Sequence, residues 1–106
     1  MERRHHLERL LDAYAGLLTE HQRETLRLHL DSDWSYAEIA AAQGVTRMAV
    51  YDLVHRTGSV LDDYEAKLGL VAAEDRRRRD RDELTGRLHE LQAEITELRR
   101  SVKDLS

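Results

Sequence analysis

The sequence predicts an all-α protein, in which a helix-turn-helix bundle is followed by a C-terminal coiled-coil helix. Three observations predict this class. The chain has 106 residues without proline and is 36% charged, a composition typical of long helices with solvated faces. Apolar residues recur at helical spacing, and the last part of the chain has a heptad pattern. We divide the chain into a helix-turn-helix domain (1–70), a charged helical connector (71–83) and a coiled-coil dimerisation helix (84–106).

The first two helices are predicted from apolar spacing and a capping signal. Apolar residues between Leu7 and Leu18 recur at i, i+3, i+4 and i+7, as in an amphipathic helix. Thr19 is followed three residues later by Gln22, a capping box that opens a second helix over about residues 20–31. The buried stripe of this second helix should contain Leu26, Leu30 and, nearby, Leu28.

A helix-turn-helix unit follows. Ser35 and Glu38 form a second capping box at the start of a short helix. Gly44 suits the left-handed conformation that ends helices, and Thr46 can cap a further helix that begins at Arg47. A short helix, a tight turn with glycine and a second helix make this unit. The side chains expected to pack inward are Trp34 before the unit, Ile39 and Ala40 on its first helix, Val45 as a buried plug in the turn, and Val50 and Leu53 on its second helix.

The sequence does not decide where the fourth helix ends. This helix can continue through Gly58 to Lys67, where glycine costs about 1 kcal/mol relative to alanine. Alternatively it breaks at Gly58, and Ser59 caps a new helix with Asp62 as the capping acid. Gly69 provides a stop in both cases.

The C-terminal segment has a heptad seam of about three repeats. Ile95 and Val102 are β-branched residues at the first core position, and leucines fill the second, which favours a parallel two-stranded coil. Glu94 and Arg99 then occupy flanking positions that can pair between chains. The seam can instead pack back on its own domain, but we expect a homodimer. The seam residues are Leu84, Leu88, Leu91, Ile95, Leu98, Val102 and Leu105.

The outer face of the second helix-turn-helix helix is the candidate nucleic-acid interface. The N-terminal residues of this helix meet base edges in DNA-binding units, so Arg47 is a base or phosphate reader and Arg56 a phosphate contact. Hydroxyls and backbone N–H groups at the helix starts can add phosphate contacts. The predicted nucleic-acid-binding residues are Ser35, Tyr36, Thr46, Arg47, Met48, Tyr51, His55 and Arg56.

A packing or protein-docking role for the same unit is the alternative. Met48 cannot form bidentate hydrogen bonds to bases, and Asp52 repels phosphate. Residues 1–69 carry eight Lys/Arg and twelve Asp/Glu, whereas residues 70–106 carry nine of each. Any basic face must therefore be local.

Several other functional classes are not indicated. The chain has no cysteine, which excludes disulfides and thiolate chemistry. Its six histidines lack the spacing that places two ligands on one helix face, and no catalytic motif is present. We therefore expect no enzyme activity, no metal and no cofactor. No signal peptide or membrane span is visible, so a cytoplasmic location is expected.

The stretch from Ala13 to Leu70 contains the motifs Leu17-Leu18-Thr19-Glu20-His21-Gln22, Ala37-Glu38-Ile39-Ala40, Gly44-Val45-Thr46-Arg47, Ala49-Val50-Tyr51-Asp52, His55-Arg56-Thr57 and Leu61-Asp62-Asp63-Tyr64-Glu65-Ala66-Lys67-Leu68. With these motifs it resembles the YlxM family (UPF0122), small bacterial helix-turn-helix proteins akin to region 4 of sigma-70 factors. The resemblance implies a non-catalytic regulatory or accessory role in the signal recognition particle pathway. The implied partners are DNA or the particle's RNA, or its protein subunits. The family commonly has glutamine where this chain has Met48.

Overall fold

The computed structural model describes residues 2–105 and confirms the all-α class. Within these residues every regular element is helical and no strand occurs. A helix-turn-helix bundle is followed by one long C-terminal helix. The α-helices are α1 (Glu2–Tyr14), α2 (Glu20–Leu30), α3 (Tyr36–Gln43), α4 (Arg47–Leu68) and α5 (Leu70–Leu105), and a 3-10 turn (Ala15–Leu17) follows α1.

Helix α1 begins five residues before the apolar run that predicted it. Two arginines at its start bind other parts of the bundle. The Arg3 guanidinium donates to both carboxylate oxygens of Asp62, at 3.1 and 2.9 Å, and this hydrogen bonding lowers the pKa of that carboxyl. Arg4 donates to the carbonyls of His29 and Leu30, at 2.8 and 2.9 Å, and to the Asp33 carboxylate. These tertiary bonds hold a polar first turn that apolar periodicity cannot detect.

The end of the first predicted helix differs from expectation. The α-helix ends at Tyr14, and the chain continues as a 3-10 turn in which Leu17 is exposed. Leu18 is buried behind this turn, so Leu17 is not part of the packed stripe that the spacing predicted.

Both predicted capping boxes are present. The Thr19 hydroxyl accepts from the Gln22 N–H at 3.1 Å, and the Gln22 side chain accepts from the Thr19 N–H at 3.0 Å. Ser35 and Glu38 make the same reciprocal pair. These bonds satisfy N–H groups that have no partner within the helix, and they set the start of α2 and of α3.

The core is aliphatic and lies among α1, α2, α3 and α4. Leu26, Leu30 and Ile39 are buried as predicted, and Leu28 and Trp34 pack against them while half-buried. Helix α1 contributes three fully buried side chains to this core, Leu10, Leu11 and Tyr14, which the sequence alone did not rank above the others. The fully buried side chains of the core include Leu10, Leu11, Tyr14, Leu26, Ile39 and Leu61.

One of the two predictions made for the turn of the helix-turn-helix unit is wrong. Gly44 is left-handed (φ 69°), as expected. Val45, however, is 44% exposed and is not a buried plug. The N–H groups of Gly44 and Val45 both donate to the Ala40 carbonyl, so the backbone closes the turn and leaves the valine side chain at the surface. Ile39 and Ala40 of α3 and Val50 of α4 are buried as predicted, whereas Leu53 is only half-buried.

Helix α4 passes through Gly58 without a break, which decides between the two alternatives. Gly58 is buried, and a Cβ built on it would lie 3.5 Å from Leu7 Cδ2 and 3.6 Å from Arg3 Nη2. Helix α1 therefore packs closely on α4 at this glycine. Ser59 does not cap a new helix; its hydroxyl donates to the His55 carbonyl at 3.2 Å.

Tyr14 and Glu65 cap the start of α5. Gly69 is left-handed (φ 61°) and ends α4. The Tyr14 hydroxyl accepts from the Leu70 N–H at 3.0 Å and donates to Glu65 Oε1 at 2.6 Å, and the same carboxylate oxygen accepts from the Val71 N–H at 3.0 Å. Desolvation, followed by the bond to Glu65, raises the pKa of Tyr14. A tertiary cap from two other helices thus replaces a local one.

Helix α5 is continuous from Leu70 to Leu105. The chain divides into two compact units, one that ends at Val71 and one that begins at Ala72. In the charged part of α5, Arg77 donates to Glu74 at 2.9 Å, and this bond lowers the pKa of the glutamate. The seam side chains of the second unit are exposed, from 41% at Leu91 to 88% at Leu105.

Candidate nucleic-acid interface

Helices α3 and α4 form the helix-turn-helix unit, joined by residues 44–46. Thr46 caps α4 because its hydroxyl accepts from the Ala49 N–H at 3.1 Å. The N–H groups of Arg47 and Met48 lie ahead of this bond in the first turn, where a helix has no internal acceptors for them. The start of α4 therefore presents unused donors and the positive end of the helix dipole.

The side chains predicted for the outer face of α4 are exposed. Met48 is 65% exposed and Tyr51 44% exposed, and Arg47, His55 and Arg56 are also exposed. The opposite side of the same helix carries the buried Val50, Val54 and Leu61. Packing of the apolar stripe thus leaves the predicted residues of α4 at the surface.

The binding residues predicted at the helix starts are less available to a ligand, because they already form caps or are half-buried. The hydroxyls of Ser35 and Thr46 already accept backbone N–H groups as caps. Tyr36 is half-buried, and burial raises the pKa of its phenol. These three residues shape the unit, and only their remaining hydrogen-bonding capacity is available to a ligand.

Arg47 and Arg56 differ from the other arginines of the first unit. Among residues 2–71, each of the others takes part in an interaction with another residue of the chain, such as Arg3 with Asp62 and Arg27 with Asp31. The structure gives Arg47 and Arg56 no hydrogen bond or ion pair within the described residues. Their charges are available to an external anion.

A carboxylate and a groove adjoin Arg56. Asp52 is half-buried, and it lines a groove of about 380 Å³ together with Gln22, Leu53 and Arg56. Although Asp52 and Arg56 are one helical turn apart, the structure shows no ion pair between them. The local charge of α4 is therefore mixed, as the sequence indicated.

A row of ring contacts crosses the unit, and sequence reasoning missed it. The ring centroids of His29 and Tyr36 are 4.7 Å apart, and those of Tyr36 and Tyr51 are 5.9 Å apart. Tyr51 stacks on His55 at 3.9 Å. The four residues come from α2, α3 and α4, so only the Tyr51–His55 pair, at i and i+4, had a signal in the sequence.

Residues 2–105 contain no group of three or more His, Cys, Asp or Glu that could hold a metal ion. None of their helices combines the length and apolar character that a bilayer span requires.

Comparison with known proteins agrees with this architecture. A family model described as "Putative helix-turn-helix protein, YlxM / p13 like" matches residues 1–104. The chain belongs to the UPF0122 family. The matched residues extend into α5 as far as residue 104, beyond the stretch Ala13–Leu70 that carries the resemblance in the sequence.

Three UPF0122 relatives illustrate the similarity. The UPF0122 protein STH1464 of Symbiobacterium thermophilum is 44% identical over 96 residues, which are 91% of this chain and 88% of the relative. UPF0122 proteins of Limosilactobacillus reuteri and Streptococcus gordonii are each 44% identical over 72 residues, or 68% of this chain. These matches cover 64% and 66% of the two relatives. The family description names a helix-turn-helix protein and no reaction.

Proposed function

We propose that this UPF0122 protein is a non-enzymatic nucleic-acid-binding protein that acts as a regulatory or accessory factor of the signal recognition particle pathway. The observation that carries the proposal is the outer face of α4, where Arg47 and Arg56 are exposed and have no ion pair within the described residues. Phosphate contacts supply most of the affinity of such proteins. Two free guanidinium groups on a helix-turn-helix surface suit that role.

The two ends of this face suit different contacts. Arg47 stands at the start of α4, beside unused N–H donors, where phosphate or a base edge is favoured. Arg56 lies more than two turns further along and suits a second phosphate. Met48 and Tyr51 offer apolar contact instead of bidentate hydrogen bonds, so shape and stacking contribute more than base-edge reading.

The resemblance to YlxM proteins supports the assignment to the signal recognition particle pathway. It makes the particle's RNA and regulatory DNA the two targets to compare. Such a role places the protein in the cytoplasm.

Gel-shift titration with duplex DNA and with the particle's RNA tests the proposal. We expect Arg47→Ala and Arg56→Ala each to weaken binding about tenfold, because each loses one phosphate contact, and to reduce the salt slope by about one. Lys67→Ala is the matched control, since it removes one exposed positive charge from the far end of the same helix. Equal binding by wild type and both arginine variants would contradict the proposal.

Protein docking is the second candidate function. The exposed Met48 and Tyr51 form apolar surface beside Asp52, and the chain carries a formal charge of −4. An adaptor for the particle's protein subunits would use this surface without nucleic acid. The salt dependence of the binding affinity distinguishes the two functions, because an apolar docking interface is much less salt-sensitive than phosphate contacts.

We also propose that α5 forms a parallel homodimer. Its seam from Leu84 to Leu105 is exposed in a single chain. A second copy offers the matching seam, with leucine at each second core position and β-branched residues at two of the three first positions. Glu94 of one copy can then pair with Arg99 of the other.

A further inference from the structure

A groove lies between α1 and α4, beside the start of α3. Its volume is about 360 Å³, within the range of small-ligand sites. Aliphatic side chains that are buried or half-buried line it, among them Leu7, Leu30 and Val54, and the buried Gly58 lies beside them. The rings of His29, Tyr36 and His55 line the same groove.

The rings make the groove suitable for a flat aromatic ligand. Tyr36 contacts His29 directly, and it connects to His55 through Tyr51. Nucleobases stack on aromatic side chains of this kind, and such stacking contributes strongly to single-strand binding. His55 and Tyr51 also belong to the exposed face of α4 proposed above as the nucleic-acid interface.

The hydrogen bonds within the protein determine which groups of the groove residues can donate and which can accept. His29 Nδ1 is 2.9 Å from the Trp34 carbonyl, and His55 Nδ1 is 2.9 Å from the Tyr51 carbonyl. A carbonyl can only accept, so each neutral ring carries its proton on Nδ1 and keeps an acceptor lone pair on Nε2. The Tyr36 hydroxyl has no hydrogen-bond partner among residues 2–105. The residues that line the groove thus carry two acceptors and one hydroxyl that can donate.

Simple anion binding does not fit this groove. Arg3 and Arg4 stand at its edge, but Arg3 is bound to Asp62, and Arg4 to Asp33 and two carbonyls. A paired base does not fit either, because its hydrogen-bonding edge is occupied and its faces are stacked within the duplex.

We propose that this groove binds one unpaired adenine from an RNA loop. The ring stacks on the aromatic side chains, the exocyclic amino group donates to a histidine Nε2, and a ring nitrogen accepts from the Tyr36 hydroxyl. The inference rests on the proposed nucleic-acid function and names its ligand.

Fluorescence anisotropy with labelled RNA hairpins tests the groove. The hairpins share one stem and carry either an all-uridine loop, the same loop with one central adenosine, or that loop with purine riboside, which lacks the amino group. We expect the adenosine loop to bind wild type about tenfold more tightly than the uridine loop, with purine riboside in between. His55→Ala and Ser59→Leu, the second of which fills the mouth of the groove, should abolish this preference.

His21→Ala is the matched control, because His21 is exposed on α2 and does not line the groove. Circular dichroism melting verifies that each variant is folded. If wild type binds all three loops equally and Arg47→Ala and Arg56→Ala still weaken the binding of each loop, the adenine site is rejected. The proposed nucleic-acid function is then retained. Absence of binding to RNA and DNA alike would overturn both, and an adenosine preference that survives in His55→Ala and Ser59→Leu would also reject the groove.

Discussion

The hydroxyls of Thr25 and Thr57 have opposite effects on the stability of the same core. Both side chains are buried, at 0% and 1% exposure. The Thr25 hydroxyl accepts from Gln43 Nε2 at 3.0 Å. The Thr57 hydroxyl is buried without a partner among the described residues. An unsatisfied buried polar group costs about 1–3 kcal/mol, so Thr57 is a local weakness of α4.

Replacement of Thr57 by valine should therefore stabilise the protein. Valine keeps the shape and the β-branch while it removes the unpaired hydroxyl, so we expect the free energy of unfolding to rise by about 1 kcal/mol in urea denaturation. Thr25→Val is the matched control and should lower it by about 1 kcal/mol, because it leaves the Gln43 amide without its acceptor. If both variants lose stability equally, the hydroxyl of Thr57 is satisfied in solution.

At the scale of elements, the junction of α4 and α5 depends on groups that are remote in sequence. Helix α5 begins directly after Gly69 and has no capping side chain of its own. Tyr14 from α1 and Glu65 from α4 bind its first N–H groups instead. The neutral phenol fits this arrangement, since a phenolate would face the Glu65 carboxylate.

Alkaline pH should loosen this junction. The pKa of Tyr14 is raised above its ordinary value of 10.0 in the folded protein. Its contribution is therefore complete below about pH 10 and decreases as the pH rises through the higher pKa of the folded state. In Tyr14→Phe we expect stability to change less over this alkaline range, and exchange of the Leu70 amide at neutral pH to accelerate about tenfold.

Urea denaturation at a series of pH values and amide hydrogen exchange measure these two effects. Tyr64→Phe is the control, because its hydroxyl makes only a long 3.4 Å bond to the Leu17 carbonyl. The same alkaline response in Tyr14→Phe and wild type would show that this phenol does not govern the junction.

At the scale of the whole molecule, the two units differ in how they bury apolar surface. The unit that ends at Val71 encloses its own core, whereas the seam of α5 remains exposed in one chain. A small bundle near 70 residues is in the range where oligomerisation often adds stability. This contrast is the physical reason to expect a second copy along α5.

Ile95→Asp should convert the dimer to a monomer. A carboxylate at the central first core position would be desolvated between the two helices, which is unfavourable. Light scattering at tens of micromolar measures the mass, and truncation after Arg81 should give the same change. Ala93→Asp is the control, because it adds the same charge at an outer heptad position and should remain dimeric. A monomeric wild type would contradict the proposed coil.

The sequence predicted elements well wherever the signal was local. Both capping boxes, the left-handed Gly44 and the core leucines of α2 depend on residues three or four positions apart, and all are present. Val45 was predicted wrongly because burial in a turn depends on neighbouring helices. The exposure of Arg47 and Arg56 followed from the apolar stripe of α4, but the pairing of the other arginines could not be predicted.

The apolar spacing and the capping residues of the sequence thus determined by themselves that this chain forms an all-α helix-turn-helix bundle with a long C-terminal helix. Tertiary structure decided where α1 begins, that α4 passes unbroken through Gly58, how Tyr14 and Glu65 start α5, and which rings meet beside α1. The reason is distance: Arg3 and Asp62 are 59 residues apart, and Tyr14 and Glu65 are 51 apart. No short pattern along the chain records contacts that exist only after the helices pack.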